Sequence, residues 1–258
     1  MTDERPLRRV SITVPRRRAE EARATMIELF PEGFEEVENE HDVQLAAYTD
    51  ASGEERLWHA FGGVRRTDVE AGWEERWRTF HRPVAVGPLW VGPPWEEPAA
   101  GLLPVVIDPA RAFGTGAHAT TRLCLELLVD LPRGSLLDVG CGSGVLAIAG
   151  ARLGFTPVVA LDVDPLAIDA TRENAAANGV AVETALVDAT DGTMPSTATA
   201  VANISLEAAP KVAARLDCER LVTSGYLASN RPLLPGYAPR RRLDDEGWAA
   251  DLWEAVTE

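Results

Sequence analysis

The run LLDVGCGSGVLAIAGARLG, residues 136–154, sets the strongest limit on how this chain folds. A short apolar stretch leads into Gly140, Gly142 and Gly144 at alternate positions. An apolar helical pattern follows and is closed by Gly154. Strand, glycine turn and helix in that order make the opening half of a βαβ unit. The pattern then continues. PVVALDVD reads as a strand, PLAIDATRENAAANG as a helix closed by Gly179, and VAVETALVD, ATAVANIS and RLVTSGYL as three more strands. Upstream, LLPVVID is a short strand and TTRLCLELLVDL a helix. The strands are almost continuously apolar rather than alternating, as expected where helices cover both faces of a sheet. Residues 101–258 are therefore expected to form an α/β domain built on a doubly wound parallel sheet.

The first seventy residues follow a different rhythm. Residues 8–14, RRVSITV, alternate as a strand. Arg17 to Phe30 reads as a helix with Ala22, Met26, Ile27 and Leu29 as its apolar set, stopped by Pro31 and Gly33. GFEEVENE and DVQLAAYTD read as strands, GEERLWHAF as a helix and VRRTDVE as a strand. The order β-α-β-β-α-β predicts a small α+β, ferredoxin-like domain over residues 1–70. Residues 71–100 read as a connector: a polar, tryptophan-bearing helix, then a stretch rich in Pro and Gly. Four of the seven tryptophans (Trp73, Trp77, Trp90 and Trp95) lie in it and are expected to pack it against the domain that follows.

Composition excludes several classes. With 46% apolar residues the chain can bury a core. Its net charge of −15 opposes direct nucleic-acid binding and suits a basic partner or simple solubility. Cys124, Cys141 and Cys218 are too scattered for a disulfide framework or a zinc site, and no metal is expected. The start, MTDERPLRRV, is charged, and no apolar run reaches membrane-spanning length. A cytoplasmic protein with no membrane association is the expectation.

The glycine loop implies a ligand that carries adenosine. Asp162 closes the next strand about twenty residues on, where an acid can accept both ribose hydroxyl protons. Val145 stands where a dinucleotide fingerprint places its third glycine, and Asp138 precedes the loop by two residues. A pyrophosphate prefers the helix N-terminus free of negative charge. S-adenosylmethionine has no phosphate, and its ammonium and sulfonium tolerate a carboxylate. Gly140, Gly142, Asp138 and Asp162 therefore point to S-adenosylmethionine rather than NAD. Asp164 precedes Pro165 and reads as a helix cap. Asp188 ends the following strand, either to accept from the adenine amino group or to face water.

A second glycine-bearing segment, DPARAFGTGAHATT, residues 108–121, lies shortly before the first. It is similar to the D-P-G-x-A-F-G-T-G-x-H-x-T-T signature of the PrmA family, methyltransferases of the eleventh protein of the large ribosomal subunit. DVGCGSGVLAIAGARLG, ALDVDPLAIDATRENAAANGV and VANI resemble that family's next motifs in the same order, and WEERWRTFHRPVAVGPLWVGPPW resembles its interdomain segment. The resemblance runs from about Gly72 to Leu227. It implies a Rossmann-like S-adenosylmethionine-dependent methyltransferase domain, preceded by a small domain that recognises the ribosomal protein. Lysine side chains and the N-terminal amine would be the acceptors. Carried over by position, Thr121, Gly140, Asp162 and Asn203 would hold the cofactor. Phe113, Gly114, Thr115 and Gly116 would fold over it. Ala110, Ala119 and Ser205 depart from the family pattern.

Methyl transfer to an amine requires orientation and an uncharged nucleophile. Asn203 ends a strand at the expected ligand edge, and its side-chain carbonyl can accept an amine N–H. The backbone carbonyl of Ile204 can accept a second. His118 reads first as a hydrogen-bonding strut. A related protein-lysine methyltransferase with another substrate, an NAD-dependent oxidoreductase and a non-catalytic ligand-binding module remain as alternatives.

Overall fold

A computed structural model describes residues 8–30, 34–39, 41–49, 51–68, 82–108 and 117–256. The chain divides into two compact units, Met1–Phe80 and His81–Glu258.

In the first unit β1 (Arg8–Pro15) runs into a short 3-10 turn, Arg16–Arg18, and then α1 (Ala19–Leu29). β2 (Glu35–Glu38), β3 (Asp42–Thr49), α2 (Ala51–Phe61) and β4 (Arg65–Asp68) follow. The sheet order is β2-β3-β1-β4 with every pair antiparallel, the split βαβ arrangement that the element order predicts. Val10, Ile12, Val14, Val43, Leu45 and Ala47 form the sheet side of the core. The buried face of α1 is Ala19, Ala22 and Met26, continued by Phe30, whereas Ile27 and Leu29 are only half-buried. The 3–4 spacing of a helical stripe, rather than apolar character alone, selects those residues.

The second unit begins with β5 (Val84–Val86), β6 (Leu89–Gly92) and β7 (Leu103–Val106), a three-stranded sheet in the order β5-β6-β7. Two segments of the stretch read as a connector, Val84–Val86 and Leu89–Gly92, are thus strands of a sheet. Trp90 is buried in β6, while Trp73 and Trp77 lie outside the described residues. The main sheet follows. Its parts are α3 (Ala119–Val129), β8 (Leu136–Val139), α4 (Val145–Leu153), β9 (Val158–Asp162), α5 (Pro165–Asn178), β10 (Glu183–Leu186), β11 (Thr197–Asn203), α6 (Ala209–Ala213), β12 (Cys218–Leu227), β13 (Tyr237–Asp245) and β14 (Trp248–Ala255). The strand order is β10-β9-β8-β11-β12-β14-β13. β10 through β12 are parallel, and β14 and β13 add an antiparallel hairpin at one end.

Neighbouring residues of β8 enter opposite cores, Leu136 on the side of α3 and α4 and Leu137 on the side of α6. This two-sided burial is why the strands read as continuous apolar runs. The terminal hairpin escaped the sequence reading because β13, YAPRRRLDD, carries three consecutive arginines. They belong to an edge strand, where charge discourages further pairing. No helix among the described residues is long and apolar enough to cross a membrane.

Candidate active site

The carboxyl ends of β8, β9 and β11 lie side by side because Val201 pairs with Asp138, and Asp138 with Ala160. Residues that follow those strands therefore share one edge of the sheet, the edge where doubly wound folds keep ligands.

The loop after β8 is held by backbone and carboxylate bonds. Gly140 N–H and Cys141 N–H donate to the carbonyl of Leu161 at 2.8 and 3.0 Å. Gly142 N–H donates to Asp162 Oδ2 at 2.9 Å, and Asp164 N–H donates to Asp162 Oδ1 at 3.0 Å. Asp162 thus receives one bond on each oxygen and ties the loop to the end of β9, a structural duty the sequence reading did not include. Gly140 has φ +73°, and a β-carbon there would stand 2.7 Å from Ile204 Cγ2. Only glycine lets the loop pass that close to the end of β11.

Asp138 is fully buried. Its Oδ2 accepts from Ala147 N–H, in the first turn of α4, at 3.0 Å. Its Oδ1 finds no hydrogen-bond partner among the described residues. Burial, with a smaller push from Asp162, raises its pKa to about 7 against the pull of the Ala147 N–H. An acid so placed lacks a cation or a donor on one oxygen.

The N-terminus of α3 brings a second group to the same edge. His118 caps the helix, its Nδ1 accepting from Thr120 N–H at 3.3 Å. Thr120 Oγ1 lies 2.8 Å from the same Nδ1 and accepts from Asn203 Nδ2 at 3.2 Å. Thr121 is fully buried, and its Oγ1 also finds no partner among the described residues. Burial, reinforced by Arg122 and opposed by Glu246, lowers the pKa of His118 and so favours the neutral ring. The ring meets Trp248 edge to face at a centroid distance of 5.0 Å.

Among the described residues, Asp188 makes no side-chain hydrogen bond to this cluster. It is exposed, and its Oδ1 accepts from Thr190 N–H and Thr190 Oγ1 at 2.9 and 2.6 Å, which lowers its pKa. Asp164 caps α5 by accepting from Leu166 N–H at 2.9 Å. Phe113, Gly114, Thr115 and Gly116 lie outside the described residues.

Sequence reasoning missed two asparagines. Asn174 Nδ2 donates to the Ser143 carbonyl at 2.9 Å, and Asn174 Oδ1 accepts from Asp108 N–H at 3.2 Å. Asn178 exchanges two bonds with the backbone of Val106. Together they fasten the entrance of the signature segment to α5 and the glycine loop. An asparagine in the helix interior, Asn174, where that residue is unfavourable, with a second four residues on at the last helical position, was the available signal. A separate concavity of about 670 Å³ is lined partly by Glu126, Asp130 and Asp245. Those three carboxylates are paired with Arg122 and Arg241.

Residues 9–230 match the family described as ribosomal protein L11 methyltransferase (PrmA). A ribosomal protein L11 methyltransferase of Symbiobacterium thermophilum is 40% identical over 199 residues, 71% of this chain and 66% of that protein. One of Myxococcus xanthus is 40% identical over 169 residues, 62% of this chain and 58% of that protein. The chain thus spans a little under two thirds of the length of these curated relatives. The crystal structure of a ribosomal protein L11 methylase from Lactobacillus delbrueckii subsp. bulgaricus superposes with a TM-score of 0.58 at 24% identity, covering 69% of this chain and all of that one. This last likeness speaks for the fold alone.

Proposed function

Because the chain belongs to the ribosomal protein L11 methyltransferase (PrmA) family, we propose that it methylates lysine side-chain and N-terminal amines of a large-subunit ribosomal protein, using S-adenosylmethionine. The observation that carries this reading is the pair of bare, buried oxygens at one sheet edge, Asp138 Oδ1 and Thr121 Oγ1. A buried carboxylate left with an open oxygen suits a ligand that brings positive charge and N–H donors. It does not suit a pyrophosphate, which argues against a dinucleotide.

S-adenosylmethionine, when bound, supplies an electrophilic methyl group. The chain's residues bind, orient and desolvate. Asp162, at the end of β9, accepts the ribose hydroxyls alongside its two backbone bonds. Gly140 and Gly142 give the ligand close access to the backbone. Thr121 and Asp138 receive the amino-acid end. Asp188 keeps Oδ2 for the adenine amino group, and Phe113 with Gly114 to Gly116 covers the site.

The acceptor amine must lose its proton. A free lysine titrates near ~10.4, so only about one in a few thousand is neutral at pH 7. Desolvation shifts that balance toward the neutral form. Asn203 Oδ1 and the Ile204 carbonyl then accept the amine's N–H groups and aim its lone pair. The small N-terminal domain, residues 1–70, recognises the protein substrate, and the net charge of −15 favours a basic one. No nucleic acid enters this reading, and a ribosomal substrate implies a cytoplasmic site of action.

The test is methylation of ribosomal proteins from the same organism, read by mass spectrometry. Added methyl groups on the eleventh large-subunit protein support the reading. Methyl groups only on another protein would favour a related lysine methyltransferase. No calorimetric binding of S-adenosylmethionine would overturn the cofactor assignment.

A further inference from the structure

Asparagine is an ambiguous catalytic group, because rotation of its amide by half a turn exchanges acceptor for donor. Here the ambiguity is removed by a chain of bonds whose direction starts from a backbone group. Thr120 N–H can only donate, and it points at His118 Nδ1 at 3.3 Å. Nδ1 is therefore a bare lone pair. Thr120 Oγ1, 2.8 Å from that nitrogen, gives it its single proton. The hydroxyl is left with lone pairs alone, so Asn203 must turn an N–H toward it, at 3.2 Å. Oδ1 is the end of the amide left to accept from a ligand, and no described residue donates to it.

We infer that His118 and Thr120 are positioning residues that lock the Asn203 amide with its carbonyl available to the acceptor amine. The inference rests on the reading of Asn203 as the amine's acceptor. His118 is well suited to start the relay. It is fixed as the cap of α3, half-buried, and braced by Trp248. Among the described residues, the charged groups around it are Arg122 on its own helix, Glu246 in the β13–β14 turn and Asp245 at the end of β13. Arg122 bonds both acids and the carbonyl of Ala117. A proton on Nδ1 would reverse the relay. Thr120 would then accept from the ring, donate to Asn203, and require Oδ1 to face inward.

Two measurements decide the matter. In the first, the side-chain amide of Asn203 is followed by NMR in the intact protein, identified by its loss in Asn203→Asp. Its signals should titrate together with the His118 ring as pH is lowered, and Thr120→Val should remove that coupling. Independent titration of the two groups overturns the relay whether or not the protein is active. In the second, single-turnover methyl transfer is compared with calorimetric affinity for S-adenosylmethionine. Thr120→Val should slow transfer about tenfold with less than about threefold change in affinity, and Thr120→Ser should restore the rate. Affinity falling in step with rate would make Thr120 a ligand contact and overturn the inference. An inactive wild-type protein would sink the proposed function, while the NMR titration still judges the relay.

Discussion

Gly225 lies against the peptide of Ile204 so closely that a β-carbon on it would stand 2.7 Å from the Ile204 carbonyl carbon and 3.1 Å from its nitrogen. The glycine has φ +96° and sits where the pairing of β12 with β14 shifts register between Thr223 and Tyr226. Ile204 N–H is held by the Ser224 carbonyl at 3.1 Å. A bulge at the end of one strand thus seats the peptide that follows Asn203 on the next.

Gly225→Ala should therefore cost stability and catalysis together. The left-handed φ alone costs about 1–3 kcal/mol for a residue with a side chain, and displacement of the Ile204 peptide adds to it. Denaturant unfolding should show the loss. Single-turnover transfer by the fraction that remains folded should also be slowed. A variant as stable and active as the wild type would show that the contact relaxes without consequence.

Asp162→Ala removes two backbone bonds as well as the proposed ribose contact. Cofactor affinity should fall roughly ten- to a hundredfold, or about 1.5–3 kcal/mol. Because Gly142 N–H and Asp164 N–H lose their acceptor, thermal stability should fall too. Calorimetry and thermal melts on one preparation check both. A folded variant with unchanged affinity would remove Asp162 from the site.

Asp138 gives a pH signature. Burial raises its pKa to about 7, so the folded protein without cofactor holds this proton far more tightly than the unfolded chain does. The stability it contributes is fully present below the ordinary carboxylate pKa near ~4 and is lost as pH rises through about 7. Asp138→Asn should flatten that slope. A cationic ligand favours the charged carboxylate, so binding near pH 7 should release a proton and strengthen from pH 6 to 8. Titration in two buffers of different ionisation enthalpy measures the release. Equal release by Asp138→Asn would assign it to another group.

A chain starting at His81 should bind S-adenosylmethionine with near wild-type affinity, since the second unit has its own core. It should lose methyl transfer to the intact protein substrate if the first unit recognises that substrate. Full activity of this shorter chain would reassign recognition to the second unit.

Local signals in the chain were enough to determine most of the elements and several of the residues at their ends. Apolar runs without alternation announced a sheet covered on both faces. Asp164 before Pro165 and the glycines closing α4 and α5 marked the helix ends, because capping depends on a few adjacent backbone groups. Asp162 and Asn203 stood out as polar residues ending apolar strands. Strand order was not legible, nor were the contacts it creates. Thr120 and Asn203 are 83 residues apart and meet only because β11 is inserted between β8 and β12. Gly225 could not be tied to Ile204, nor Asn174 to Ser143, for the same reason. The terminal hairpin was hidden because an edge strand rich in arginine lacks the apolar period that marks a buried one. Periodicity records which face of an element is buried, while the choice of neighbour depends on the packing of distant segments. The sequence therefore named most of the groups in the candidate site, and the fold decided which of them touch and which end of the Asn203 amide meets Thr120.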